Sequence, residues 1–325
     1  MAPAVGDVSD SRGVLVSGAT GLVGARLAAS LVRRGDAVRV LTRDPEAAAR
    51  RLGVRVSAVA WDGLSVPGEA LTGASAVVHL AGEPVFAGRL TPERRRRIRS
   101  SRIEGTRSLA RAIGALPRAQ RPRTLVCASA VGYYGDRGDE RLPEEAPPGR
   151  GFLADVCRDW EAAAVTAEAH GARVACLRVG IVLAREGGAL PRMALPFRFG
   201  AGGRLGDGRQ WFPWIHIDDL VALTLAILDD DGIRGPVNAS APEPVRNAEL
   251  TQTLARVLHR PAPLPVPAFA LRLALGELAD ELLGSRRVVP ACALAHGFAF
   301  AHADLEGALS HELRPALMRR TGSGQ

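Results

Sequence analysis

The sequence predicts an α/β protein: a doubly wound parallel sheet followed by a smaller C-terminal α+β lobe. Three observations predict it. Apolar runs of strand length alternate with helical patterns from residue 13 to about residue 180. The runs are nearly continuous, as in ASAVVHL from Ala74 to Leu80, which suits parallel strands buried on both faces. The first strand opens through a glycine turn directly into a helix. Residues 13–180 are expected to form the first domain and 181–309 a second lobe. Residues 1–12 and 310–325 read as loose tails.

The elements follow in order. Val14, Leu15 and Val16 form the first strand, and Gly18, Gly21 and Gly24 the turn. Val23, Leu27 and Leu31 recur at helical spacing, Gly35 stops that helix, and Ala37 to Leu41 is the second strand. A short helix spans Pro45 to Leu52, and a third strand Val54 to Trp61. After the fourth strand comes a long helix from Thr91 to Leu116, with Thr91 as cap, Pro92 in the first turn and Glu93 at the positive end of the dipole. Its run Arg94 to Arg97 reads as a solvated face, the alternative being that one member approaches the cofactor phosphates. Thr124 to Ser129 is the fifth strand, Phe152 to His170 a helix, and Val174 to Val179 the sixth strand. Arg185 to Gly208 shows little periodicity. Beyond it come helices over Asp218 to Leu228, Asn247 to Leu258 and Ala268 to Leu283, a strand over Pro236 to Ala239, and short elements ending near Leu309.

Composition narrows the function. The net charge is +8, yet the chain has no lysine and all 42 basic residues are arginine, alongside abundant Ala, Gly and Pro. That pattern reflects GC-rich codons and is weak evidence for a polyanion partner; no specific nucleic-acid partner is expected. No apolar run is long enough to span a bilayer, and the N-terminus lacks the basic and apolar regions of a signal peptide, so a cytoplasmic protein without a membrane partner is expected. The four cysteines show no C-x-x-C pair and no metal-ligand spacing; reduced buried thiols and no metal are expected.

Gly18-Ala-Thr-Gly21-Leu-Val-Gly24 carries the chemistry. The first glycine allows the tight turn, the second lets backbone approach a pyrophosphate, and the third permits close helix–strand packing. The helix N-terminus then offers free N–H groups to the phosphates. This is a Rossmann-type dinucleotide site, with Gly18, Thr20, Gly21, Leu22, Val23 and Gly24 along the cofactor. NAD sites place a carboxylate near the end of the second strand; here it reads Leu41-Thr42-Arg43. A hydroxyl and a guanidinium would bind a 2′-phosphate, which selects NADP(H). Asp62, after the third strand, has two readings: an acceptor for the adenine amino group, or a turn carboxylate.

The glycine turn, Leu80-Ala81-Gly82, Ser129 and Trp214-Ile-His216-Ile-Asp218-Asp219 resemble an extended short-chain dehydrogenase/reductase. SAVGYYG, FLADVCRDWEAAA, LRVGIVL, GRQWFPWIHIDDL and SRRVVPACALAHGFAF resemble, more narrowly, its atypical "epimerase family" subgroup with its own C-terminal segment. The resemblance implies that Thr42 and Arg43 hold the 2′-phosphate. It implies that Leu80, Ala81 and Gly82 flank the nicotinamide ribose and that Arg102 and Arg178 reach the cofactor. Ser129 would stand at the family's catalytic serine.

The chain departs from that pattern at the usual Tyr-x-x-x-Lys pair, in which lysine lowers the pKa of the tyrosine acid/base. Aligned on Glu161, the pair falls on Leu153 and Cys157. Ser129 and Tyr134 are then the candidate proton donors, with Tyr133 and Tyr134 alternatively lining the pocket. His216 with Asp218 and Asp219 could form a catalytic dyad, but they read as a structural helix start capped by Asp218. Trp211, Phe212 and Trp214 either wall the cleft or pack the lobe junction. The expected protein is an NADP(H)-binding oxidoreductase or epimerase-type enzyme acting on a small carbonyl or alcohol. The alternative is a non-catalytic NADP(H) sensor. A homodimer is left open.

Overall fold

The computed structural model describes residues 12–53 and 55–313. In chain order, the first half gives β1 (Gly13–Ser17), α1 (Leu22–Arg34), β2 (Ala37–Thr42), α2 (Pro45–Leu52), β3 (Val56–Ala60), β4 (Ala76–His79), α3 (Pro92–Ala115), β5 (Thr124–Ala130), β6 (Arg141–Leu142), α4 (Phe152–Val165) and β7 (Arg173–Val179). There follow β8 (Ile181–Leu183), α5 (Leu190–Arg198), β9 (Trp211–Phe212), β10 (Trp214–His216), α6 (Ile217–Asp229), β11 (Gly235–Ala239), β12 (Val245–Arg246) and α7 (Asn247–Leu258). The C-terminal part holds α8 (Ala268–Leu275), α9 (Leu278–Leu283), β13 (Arg287–Val288), α10 (Ala291–Ala295) and α11 (Leu305–Leu313).

Seven strands form one sheet in the order β11-β7-β5-β4-β1-β2-β3, and every pairing in it is parallel. Successive strand residues serve opposite faces. Val14 and Val16 join a core with Leu27 and Leu31 of α1 and Leu220 and Ile227 of α6. Leu15, between them, joins the other core with Leu109 and Ile113 of α3 and Trp160 of α4. Helices therefore cover both faces, which is why the strands read as unbroken apolar runs. Strand order reverses between β1 and β4, so the crevice at their carboxyl ends is the ligand position of such sheets.

Local signals explain the helix ends. Gly35 takes φ +92° and closes α1 through its N–H to Leu31 and Val32. Thr91 caps α3 by accepting the Arg94 N–H. Other expectations need correction. The irregular stretch after Arg185 contains α5, whose Pro191 and Pro196 disguise it as loop. The helix expected over Ala268 to Leu283 is two helices, broken at Gly276 with φ +62°. His216, not Asp218, caps α6, its side chain accepting the Asp218 N–H. β11 lies beyond residue 180 and still completes the main sheet. Arg12 is anchored to Asp229, and α11 takes in residues 310–313. The rest of the expected tails, and Val54 at the start of the expected third strand, lie outside the described residues.

No helix among the described residues is long and apolar enough to cross a membrane. All four cysteines are unpaired, and three of them are buried.

His79 ends β4 opposite Ser17 of β1, and its Nδ1 lies 2.5 Å from Ser17 Oγ. Burial, with the Arg102 charge adding to it, drives its pKa down to about 4. The unfolded chain takes up this proton near pH 6.5 while the folded chain does not. Stability should therefore fall between pH 6.5 and 4, by about 3 kcal/mol from this group. Urea titrations of the parent and His79→Gln should show a shallower pH slope in the variant; identical slopes would contradict the assignment.

Candidate functional site: a dinucleotide cleft over a buried arginine network

The cleft is built on close backbone approaches. Gly18 has φ +73°, and a Cβ there would meet the Leu80 carbonyl carbon at 2.7 Å and Ala81 N at 2.8 Å. A Cβ on Gly24 would collide with the Gly18 carbonyl oxygen. Gly21 caps α1 with no side chain, leaving the helix N-terminus open above the turn. Thr20, Leu22 and Val23 are half-buried and Gly21 exposed, so the turn presents a surface. The loop after β8 leans over it, with Gly188 packed against Leu22. The sequence-predicted residues Leu80, Ala81 and Gly82 form the facing edge. These contacts hold the turn tightly against the end of β4 and leave the α1 N-terminus uncapped by any side chain, an arrangement that fits a dinucleotide pyrophosphate.

At the end of β2, Arg43 is exposed and makes no hydrogen bond or ion pair with the described residues. Asp44 is turned away, capping α2 through the Ala47 N–H, and the Thr42 hydroxyl lies beside the Asp44 backbone. Asp62 takes the turn role: one carboxylate oxygen accepts the N–H groups of Leu64 and Ser65. Arg102 lies behind Gly82. Its Nη1 donates to Glu83 O at 2.9 Å and Ile98 O at 3.3 Å, and its guanidinium sits over the Trp160 ring at 5.0 Å.

A second cluster lies deeper. Arg178, 3% exposed, forms a two-pronged pair with Glu161, both N–O distances being 2.8 Å. Its Nη1 also donates to the Tyr134 hydroxyl and to Glu144 O, each at 2.9 Å, and its plane stacks 3.5 Å from the Tyr133 ring centroid. The Tyr134 hydroxyl donates to Asn238 Oδ1 at 2.7 Å, and Ser129 Oγ donates to Glu161 Oε1 at 2.6 Å. Burial lowers and Glu161 raises the Arg178 pKa, and the net direction is up. Burial pushes Tyr134 up to about 12 against the pull of Arg178, so its phenol keeps its proton. Tyr134 is fully enclosed by protein and does not face the cleft. The glycine turn, Thr42, Arg43, Asp62 and the Leu80–Gly82 edge thus all follow the carboxyl ends of neighbouring parallel strands. Ser129, Tyr134 and Arg178 are gathered into the second network.

Sequence reasoning missed Glu161 as the hub of that network. The signal was available: Cys157, Glu161 and Ala164 share one stripe of α4, so a carboxylate on an apolar face needed a buried partner. Asn238 and Glu144 left no such trace. The tryptophan alternatives divide. Trp214 is buried and Phe212 packs beside it in the lobe core, whereas Trp211 lies between Arg246 and Arg287 and donates to Asp139.

A family model described as "NAD dependent epimerase/dehydratase family" matches residues 14–239, which is most of the chain. The chain belongs to that family. A second model, a domain of unknown function (DUF1731), matches residues 266–312, the C-terminal segment that the sequence set apart. An Arabidopsis thaliana protein, "Epimerase family protein SDR39U1 homolog, chloroplastic", is 42% identical over 91% of this chain and 85% of its own length. Bacillus subtilis epimerase family protein YfhF is 38% identical over 91% of this chain and 96% of its own. The crystal structure of human epimerase family protein SDR39U1 (isoform 2), which is with NADPH, has a TM-score of 0.82 and 33% identity, covering 92% of this chain and 98% of that one. The chain is a nucleotide-binding, epimerase-like member of the family.

Removing Glu161 leaves the Arg178 charge buried and unpaired, which costs about 3–5 kcal/mol. Glu161→Ala should lose that much stability in urea unfolding, and Glu161→Leu with Arg178→Met should recover most of it. A Glu161→Ala loss under about 1 kcal/mol would show that the pair is not buried as described.

Proposed function

We propose that the protein binds NADP(H) and mediates hydride transfer between the nicotinamide and a small carbonyl or alcohol substrate, in an active site without the Tyr-x-x-x-Lys pair. The observation that carries the cofactor choice is Arg43. It is an exposed, unengaged guanidinium at the end of β2, beside the Thr42 hydroxyl, with the neighbouring carboxylate of Asp44 committed to the α2 cap. A 2′-phosphate is the anion this pair would hold, and a 2′-hydroxyl gains little from it. The crystal structure of the human relative, which is with NADPH, supports the same reading.

When bound, the cofactor supplies or takes up the hydride at its nicotinamide ring. The chain's own residues would do the rest. The glycine turn and the open N-terminus of α1 bind the pyrophosphate. Leu80, Ala81 and Gly82 flank the ribose, and Arg102, which has no carboxylate partner among the described residues, supplies positive charge behind that edge. Ser129, at the carboxyl end of β5, would accept a hydrogen bond from a substrate hydroxyl, since its own proton goes to Glu161 Oε1 at 2.6 Å. Tyr134 supports this arrangement from behind by holding Arg178 and Asn238.

A second reading, a cofactor-dependent sensor, is favoured by one observation: Glu161 and Asn238 already occupy the Ser129 and Tyr134 hydroxyls. Turnover separates the two. With a panel of aldehydes, ketones and nucleotide-linked sugars, NADPH oxidation by the parent and its loss by roughly a hundredfold in Ser129→Ala is the expected result. No oxidation across the panel, with NADPH still bound, would favour the sensor.

Arg43→Ala should weaken NADPH by roughly tenfold or more and leave NADH nearly unchanged, since a charge-assisted contact is worth about 1.5–3 kcal/mol. Equal losses for both in a fluorescence titration would overturn the 2′-phosphate assignment.

A further inference from the structure

Outside the dinucleotide cleft, three of the chain's seven histidines converge with one carboxylate. His216 ends β10 and caps α6, and Asp218 lies in the first turn of α6. His302 precedes α11, and His311 stands in its last turn. One ligand atom from each of His216, Asp218, His302 and His311 lies within 4.8 Å of all the others. The His216 and His302 rings stack with centroids 3.6 Å apart, and His311 stands edge-on to them at 5.2 and 4.9 Å.

Packing alone does not explain this cluster. His216 is fully buried, and its Nε2 lies 3.0 Å from Glu312 Oε1 but makes no hydrogen bond to the described residues. The surroundings hold the histidines in place. Buried Asp219 accepts the N–H groups of Ala301 at 2.8 Å and His302 at 3.0 Å, pinning the backbone of His302. Glu312, also buried, accepts the Arg185 N–H at 2.5 Å and faces His216 Nε2. Asp218 gives Oδ1 to Arg26 at 2.9 Å, which leaves Oδ2, 3.8 Å from His216 Nδ1.

We propose that His216, Asp218, His302 and His311 form a binding site for a divalent transition-metal cation of the Zn²⁺ type. Three imidazoles and a carboxylate are the donors that suit Zn²⁺, Co²⁺ or Ni²⁺, whereas Mg²⁺ and Ca²⁺ prefer all-oxygen sites. His216 would ligate through Nδ1, the nitrogen on the Asp218 side, giving up the Asp218 N–H it now accepts at 3.1 Å. Its Nε2–H would then turn to Glu312, the outer carboxylate that commonly orients a ligating histidine. Bonds of about 2.0 Å place tetrahedral ligand atoms about 3.3 Å apart. Binding therefore draws the half-buried Asp218, His302 and His311 in toward the fixed His216 and unstacks His302 from it. Four protein ligands leave no open position, so the ion is structural. It would clamp the C-terminal segment to the start of α6 and, through Arg26, to α1 beneath the dinucleotide turn. The site is independent of the proposed hydride transfer.

The test uses the full chain, purified without a histidine tag and stripped with a chelator. Calorimetric titration with Zn²⁺ should give one ion per chain, and Zn²⁺ at a hundredfold excess over Kd should raise Tm by about 5 °C. Co²⁺ should give the visible absorption of a tetrahedral N/O site, and Mg²⁺ should have no effect. His302→Ala and His311→Ala should each weaken Zn²⁺ at least tenfold and abolish the Co²⁺ bands while far-UV circular dichroism stays unchanged. His296→Gln, at a histidine elsewhere, should leave the affinity intact. Absence of stoichiometric Zn²⁺ binding to the parent, or binding that survives the His302→Ala/His311→Ala double variant, would overturn the proposal.

Discussion

The structure depends on the contact between the turn after β1 and the end of β4. Gly18 presses its backbone against Leu80 and Ala81, and Gly24 presses α1 against Gly18, at distances that a Cβ at either position would violate. Those contacts fix where α1 begins and which way its N-terminus points. They also hold the turn at the reversal of strand order, where the sheet opens. Beneath them, Ser17 and His79 pair across β1 and β4 and tie the two strands together at the floor of the cleft.

The second constraint is a buried cation. Arg178 on β7 needs partners in an apolar interior, and it finds Glu161, Tyr134, the Glu144 carbonyl and the Tyr133 ring. This network is anchored, through Glu161, on the helix that would carry the tyrosine and lysine of an ordinary short-chain dehydrogenase, where the chain has Leu153 and Cys157. The paired charges are fully engaged with each other, so they order the wall of the site and hold Ser129 through Glu161. The network fixes the direction of the Ser129 hydroxyl through Glu161; it does not replace the lysine.

Much of this was legible in the sequence. The parallel strands declared themselves as apolar runs because both faces of the sheet are covered. The cofactor turn declared itself because only glycine tolerates the approaches made by Gly18 and Gly24. Thr42 and Arg43 stand at the end of β2, where the strand pattern puts them. What failed to show has physical causes. α5 carries two prolines in a helical pattern, and Gly276 breaks what looks like one helix, so local signals misled there. The roles of Tyr134 and Arg178 depend on burial, which a loop sequence does not reveal; the tyrosine that looked like a proton donor is sealed from the cleft. The convergence of His216, His302 and His311 is set by tertiary packing between α6 and the C-terminal segment, and no spacing rule joins residues so far apart.

The most direct test of the central claim is a paired calorimetric titration of the unaltered protein with NADPH and NADH at the same ionic strength. A guanidinium and a hydroxyl waiting for a 2′-phosphate predict NADPH binding tighter by roughly tenfold or more. Equal affinities, or a preference for NADH, would contradict the account of the Thr42–Arg43 end of the cleft.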